Sequence, residues 1–357
     1  MSTPLAGSTR LPVDVFVRAL EARDTRFDGV FFVGIVSTGI YCRPICPARV
    51  SRPEHRRFFR GAAEAERNGF RPCRRCRPEL APGRSLADAV PRLAHEASRR
   101  IAGGALNGRG VGDLARELCV SERHLRRALR AELGVSPTEL ARTHRLLLAK
   151  QLLTDTTLSL TRVAFASGFQ SVRSFQAAFR THYRMAPRDL RRAAKMAGSE
   201  TSENHRRLNI GNGRRPRTDP SATDGPDTLS LALAYRPPLD WPTLLAVLRA
   251  GTLPFIEIVD AHRYTRLVAV DGHVGRLTIE QGRGDHLRAT VSTSLLPVLM
   301  PLIQRVRRAF DLDASPAEVD AHLREGGLGA LVDRRPGLRL PGAWDGFEAV
   351  FRSVIES

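Results

Sequence analysis

Apolar and polar residues alternate at different periods along the chain, and the changes of period divide it. Val13 to Ala22 has helical spacing, whereas Gly29-Val30-Phe31-Phe32-Val33-Gly34-Ile35-Val36 is a run of strand formers bounded by turn residues. Glu54 to Asn68 again predicts a helix, with Phe58 and Phe59 as core candidates. From Ala87 the pattern is wholly helical. An amphipathic stretch to Ile101 is broken by Gly103-Gly104, and Val111–Leu118, a turn at Cys119-Val120 and Ser121–Ala131 follow. Thr138–Leu153 is long, with an apolar stripe, and then the short motif repeats as Leu158–Ser167, Gly168 and Ser171–His182. Gly198 to Asp227 is rich in Gly, Pro, Ser, Thr and Asp, with too little apolar surface for a core. Beyond it, Leu229–Tyr235, Phe255–Asp260, Tyr264–Val270, Val274–Glu280 and Leu287–Ser292 predict strands; Trp241–Arg249 and Leu295–Phe310 predict helices.

These patterns predict a multidomain α+β protein. A small four-cysteine zinc α/β domain occupies 1–83, an all-α double helix-turn-helix domain 84–196 and a flexible linker 197–228. An α+β antiparallel-sheet domain fills 229–340, with a final helix in 341–357 carrying Trp344, Phe347, Val350, Phe351 and Ile355 on an apolar face. The first domain has few apolar residues, so a bound metal is expected to contribute much of its folding free energy.

Charge sharpens the division. The 357 residues carry a formal +19. Residues 229–357 hold 15 arginines and 15 carboxylates, so the whole excess lies in the first two-thirds, which points there to nucleic-acid contact. Only Lys150 and Lys195 are lysines, as a GC-rich genome would favour, but such a bias does not explain the shortage of compensating acids. No apolar run has membrane-spanning length, and Met1–Arg10 lacks signal-peptide order, so the expectation is a cytoplasmic, nucleoid-associated protein with no membrane partner. Its thiols are then reduced and available for metal ligation.

Four of the five cysteines form a C-x3-C pair, Cys42 and Cys46, and a C-x2-C pair, Cys73 and Cys76, separated by 26 residues. Two such pairs suit one tetrahedral Zn2+ with four thiolate ligands. Eleven arginines and three glutamates lie between Tyr41 and Arg77; Arg43, Arg71 and Arg75, beside the ligands, are candidate DNA contacts. By spacing alone the site reads as a structural zinc knuckle, as most four-cysteine sites are.

The string Phe32-x-Gly34-x-x-Ser37-Thr38-Gly39-Ile40-Tyr41-Cys42-Arg43-Pro44-x-Cys46, with Gly69-Phe70-Arg71-Pro72-Cys73-Arg74-Arg75-Cys76-Arg77-Pro78, resembles the N-terminal metal-binding domain of the Ada family. That resemblance implies repair of DNA methyl phosphotriesters by stoichiometric methyl transfer to Cys42, with Cys46, Cys73 and Cys76 holding the metal. Methylation would take the site from formal −2 to −1. At an effective dielectric of ~20, removing that unit of repulsion against phosphate is worth on the order of a few kcal/mol before salt screening.

The duplicated helical motif, with Val163-Ala164-x-x-x-Gly168-Phe169-x-Ser171-x-x-Ser174-Phe175-x-x-x-Phe179-Arg180 and Pro187, resembles the AraC/XylS DNA-binding domain. Ser121, Arg123, His124, Arg126 and Arg127 in the first unit, and Gln170, Ser171, Arg173, Ser174 and Gln176 in the second, are candidate contacts to successive major-groove segments. Phe165, Phe169, Phe175 and Phe179 are expected in the core, and Cys119 as a small buried residue.

Tyr235-Arg236-Pro237-Pro238-x-Asp240-Trp241 and Pro336-Gly337-Leu338-Arg339-Leu340-Pro341-Gly342 resemble the N-terminal domain of AlkA-type 3-methyladenine DNA glycosylases. In that family the helix-hairpin-helix and the catalytic aspartate lie further on, so no glycosylase activity is expected and the missing glycosylase half is a possible partner. The Pro-Cys-His-Arg motif of O6-alkylguanine transfer does not occur. The resulting expectation is a transcriptional regulator of the alkylation response that binds double-stranded promoter DNA and works with RNA polymerase. Alternatives are a transcription factor with structural zinc and a fragment of a glycosylase-type repair protein.

Overall fold

A computed structural model of the chain describes residues 12–83, 92–194, 196 and 227–355. The linker and its Arg214–Arg217 cluster fall outside the described residues, apart from the linker's last residues.

The first module places α1 (Val13–Glu21) against a four-stranded sheet of order β3-β1-β2-β4: β1 Phe32–Ile35, β2 Ile40–Cys42, β3 Arg56–Phe59 and β4 Arg71–Pro72. The predicted Glu54–Asn68 helix is not one element. Pro53–His55 is a 3-10 turn, Phe58 and Phe59 pair with Val33 and Phe32 in β3, and α2 covers only Ala62–Arg67. Strand pairing against β1 overrides the local helical preference, and Gly61 at the α2 N-cap separates the two. Gly34 is required in β1, because a Cβ there would lie 2.6 Å from the Phe59 ring and 2.8 Å from that of Phe70.

The helical module comprises α3 (Arg92–Ala102), α4 (Val111–Glu117), α5 (Glu122–Leu133), α6 (Pro137–Asp155), α7 (Leu160–Ala166), α8 (Val172–Tyr183) and α9 (187–194). Serine hydroxyls at 121, 136, 159 and 171 cap α5, α6, α7 and α8. Both α4 and α7 end in the same hydrogen-bonded turn. Cys119 N–H donates to Arg116 and Val120 N–H to Ala115, as Gly168 does to Phe165 and Phe169 to Ala164. This equivalence corrects the expectation for Cys119. It occupies the left-handed position (φ 55°) that Gly168 fills in the second copy (φ 85°), and its side chain is exposed rather than buried. Phe165 also departs from expectation: it is 50% exposed on the outer side of α7, whereas Phe169, Phe175 and Phe179 are buried.

The third module is an antiparallel sheet of order β5-β9-β8-β7-β6: Thr228–Ala234, His286–Ser292, His273–Gln281, Arg263–Val270 and Glu257–Val259. Helices α10 (Trp241–Ala250) and α11 (Leu299–Ala309) cover its inner face, where Leu231, Val268, Ile279 and Ala289 are buried. That face shares one core with Leu146 and Leu152 of α6 and Phe175 and Phe179 of α8. The helices α12 (Pro316–Leu323) and α13 (Gly329–Arg334) were not predicted. In the last helix, α14 (Gly346–Ile355), Phe347, Val350 and Phe351 are exposed, but the preceding Trp344 is buried, with the Arg266 guanidinium over its ring.

Candidate metal centre and DNA-facing helices

Cys42 ends β2, Cys46 follows in the next turn, and Cys73 and Cys76 lie just beyond β4. The parallel pairing of β2 with β4, Tyr41 opposite Pro72, brings the two pairs together. All four Sγ atoms lie within 4.8 Å of one another, which suits a tetrahedral thiolate site with Zn–S near ~2.3 Å. The four residues are buried alike, at 7–8% exposure. Hydrogen bonding among the thiols, led by Cys46, pushes the Cys42 thiol up, while the bond to Cys42 pulls Cys73 down. Four sulfurs so close cannot all shed their protons without a cation among them, and the all-cysteine donor set fits Zn2+.

Cys76 Sγ accepts from the Arg43 backbone N–H at 3.4 Å.

The flanking arginines separate into two groups. Arg43 Nε donates to Asp28 Oδ1 at 2.8 Å, Nη2 pairs with the other Asp28 oxygen, and Nη1 donates to the Cys76 carbonyl at 3.1 Å. Its side chain is 12% exposed, so it braces the ligand loops from inside. Asp28 had no local signal in the sequence as its partner. Arg75 is exposed, Arg71 half-buried, and Arg74 reaches Met185 Sδ beyond α8 at 3.0 Å.

On the helical module Ser121, Arg123, His124 and Arg127 are exposed at the start of α5, while half-buried Arg126 pairs with Glu122. Gln170, Ser171, Arg173 and Ser174 are exposed at the equivalent place in α8, and Gln176 is half-buried. The Ser121 and Ser171 hydroxyls are engaged as caps. The two candidate groups are not one cluster: each sits on its own second helix, and α6 lies between them in sequence. No helix of the described residues is long and apolar enough to cross a membrane.

Fold and site together define a thiolate metal protein with a duplicated helix-turn-helix. Residues 16–79 match the metal binding domain of Ada, 114–193 a helix-turn-helix domain, and 230–345 the AlkA N-terminal domain. The chain is thus built from an Ada-type zinc-binding domain, a DNA-binding helix-turn-helix domain and an AlkA N-terminal domain. Over 339 residues, 95% of its length, it is 35% identical to a Mycobacterium tuberculosis protein described as "Probable bifunctional transcriptional activator/DNA repair enzyme AlkA". It spans 64% of that relative. Over 135 residues, 36% of this chain and 35% of the relative, it is 33% identical to the Escherichia coli "Bifunctional transcriptional activator/DNA repair enzyme Ada". The solved DNA methyl phosphotriester repair domain of E. coli Ada is 43% identical, with 20% of this chain and 78% of that one covered and a TM-score of 0.19.

Proposed function

We propose that this chain is a DNA-binding transcriptional regulator of an alkylation-damage response that repairs methyl phosphotriesters by irreversible methyl transfer to Cys42. The observation that carries the reading is the convergence of four buried cysteine sulfurs within 4.8 Å of one another, in a segment that matches the metal binding domain of Ada. The transfer is assigned to Cys42 as the first cysteine of the C-x3-C pair in that motif, a thiolate being the nucleophilic form of the side chain. Zn2+ bound by the four sulfurs would supply the positive charge that keeps them deprotonated. In the transfer, a Cys42 lone pair forms the S–CH3 bond as the methyl C–O bond breaks. The leaving electron pair stays on the phosphate oxygen, giving a phosphodiester anion and a thioether, with no proton or redox partner required. Nothing in the site removes the methyl group, so each chain reacts once.

Loss of one negative charge from the centre would favour approach to the DNA backbone. The exposed starts of α5 and α8, with Arg123, His124 and Arg127 and with Gln170 and Arg173, suit two major-groove segments of a promoter, where RNA polymerase would be the partner. The matches to an Ada metal-binding domain and to relatives described as activators and repair enzymes support this reading.

The test is incubation of the zinc-loaded protein with DNA carrying a methyl phosphotriester, followed by peptide mass spectrometry. A single methyl on Cys42, absent from Cys42→Ser, is expected. A methyl on another cysteine, or none, would refute the mechanism. The equal burial of the four cysteines favours a second reading, a regulator whose metal is structural. Under it, operator affinity would ignore prior exposure to methylated DNA.

A further inference from the structure

The metal-binding module touches α6 at three polar joints, and each joint adjoins a metal-ligating residue. Tyr41, which precedes Cys42, donates from its hydroxyl to Glu66 Oε1 at 3.1 Å; the other carboxylate oxygen accepts from Thr143 Oγ1 at 2.7 Å. The carbonyl of Cys73 accepts from Lys150 Nζ at 3.4 Å, and the same ammonium pairs with Glu79. Arg77, which follows Cys76, donates to Thr154 Oγ1 at 3.0 Å and to Asp155 Oδ1 at 2.6 Å. Tyr41, Glu66, Thr143 and Lys150 are all buried.

Thr143, Lys150 and Thr154 are seven and four residues apart, so at 3.6 residues per turn they form one stripe along α6. That helix joins the first helix-turn-helix to the second. Lys150 also stands out by residue type. In a chain with 56 basic residues and two lysines, the compact ammonium occupies a buried position that a planar guanidinium would fill differently.

We propose that this stripe is an intramolecular docking surface for the metal-binding module, and that α6 couples the state of the four-thiolate centre to the DNA-reading helices. Metal in the centre fixes the backbone at Cys42, Cys73 and Cys76, and that backbone holds Tyr41, the Cys73 carbonyl and Arg77 against α6. Linkage is reciprocal: whatever the centre does to α6, α6 does to the centre. The use of this coupling as a methylation signal rests on the proposed function, whereas the coupling itself requires only that the cluster bind Zn2+.

The experiment is hydrogen exchange on the full chain, zinc-loaded and after removal of zinc by a chelator. Amides of residues 143–155 should exchange at least tenfold faster without zinc, while β7 and β8 keep their protection. The double variant Lys150→Met/Glu79→Gln, which removes both buried charges together, should abolish the zinc response of α6. Thr143→Val, a near-isosteric change, should reduce it. Zinc-independent exchange in α6, loss of protection in β7 and β8 as well, or variants that respond like the parent would each overturn the proposal. Failure of methyl transfer with an intact zinc response would refute the proposed function alone. Methylation at Cys42 with an indifferent α6 would refute the coupling alone.

Discussion

Replacing Arg236 by alanine tests whether the third module is rigidly joined to the metal-binding module. The side chain is 1% exposed. Its Nε donates to the Asp28 carbonyl at 3.2 Å, Nη2 to Gly83 at 2.7 Å, and Nη1 to Asp313 at 2.9 Å and Ala314 at 3.4 Å. One guanidinium thus ties two segments of the first module to the loop after α11. Asp28 in turn pairs with Arg43, whose backbone N–H reaches Cys76 Sγ. Hydrogen bonds from a charged donor contribute about 1.5–3 kcal/mol each, but water entering the space left by alanine would restore part of that, so the net loss should be about 3–5 kcal/mol. Arg236→Lys should recover less than half, because one ammonium cannot span four carbonyls. Both tryptophans, Trp241 and Trp344, lie in the third module, so their fluorescence reports its unfolding in urea, while zinc release captured by a chelating dye reports the first module. In the parent chain the two transitions should coincide; in Arg236→Ala both should fall to lower urea and separate. Unchanged midpoints by both probes would show that the joint contributes nothing.

Burial raises the Glu66 carboxyl to about 7. The folded chain therefore keeps a proton that the unfolded chain releases above its ordinary value of 4.5, and stability should fall as pH rises through that window, by up to roughly 3 kcal/mol. Glu66→Gln should flatten that slope in urea titrations between about pH 5 and about pH 8. Phe175→Ala, in the shared core, should cost about 3–5 kcal/mol by thermal or urea unfolding, whereas Phe165→Ala on the outer side of α7 should cost under ~1 kcal/mol. Arg123→Ala and Arg173→Ala should each weaken operator binding and lower the salt slope by about one. Arg43→Ala should instead weaken zinc retention against a chelator, since its guanidinium is held by Asp28. Cys119→Gly should raise stability by about 0.5–1 kcal/mol, because glycine takes the left-handed turn without strain.

The helix-turn-helix repeat was legible in the sequence because its caps and turn residues are local signals: Ser121, Ser171 and Gly168 mark boundaries that lie within a residue or two of those observed. The four-cysteine cluster was legible because spacing alone constrains a tetrahedral donor set. Features that depend on partners distant in sequence were not. The stretch 54–68 reads as a helix until β1 supplies a strand for Phe58 and Phe59. Phe165 shares the spacing of the core phenylalanines but projects from the other side of its helix. Arg43 reads as a phosphate ligand because Asp28, fifteen residues earlier, leaves no mark in the ligand motif. Lys150 and Arg236 carry no periodic signal; only the rarity of lysine hinted at the first.

The position of Cys119 gives the molecule a second, chemically distinct kind of thiol. The other four cysteines are buried together at the candidate metal centre, while this one stands in the open at the turn of the first helix-turn-helix, two residues before the Ser121 cap. With zinc bound, a maleimide dye or spin label should attach at Cys119 alone. The natural sequence thus carries a single-site handle beside α5, from which the approach of DNA can be followed without adding or removing a cysteine.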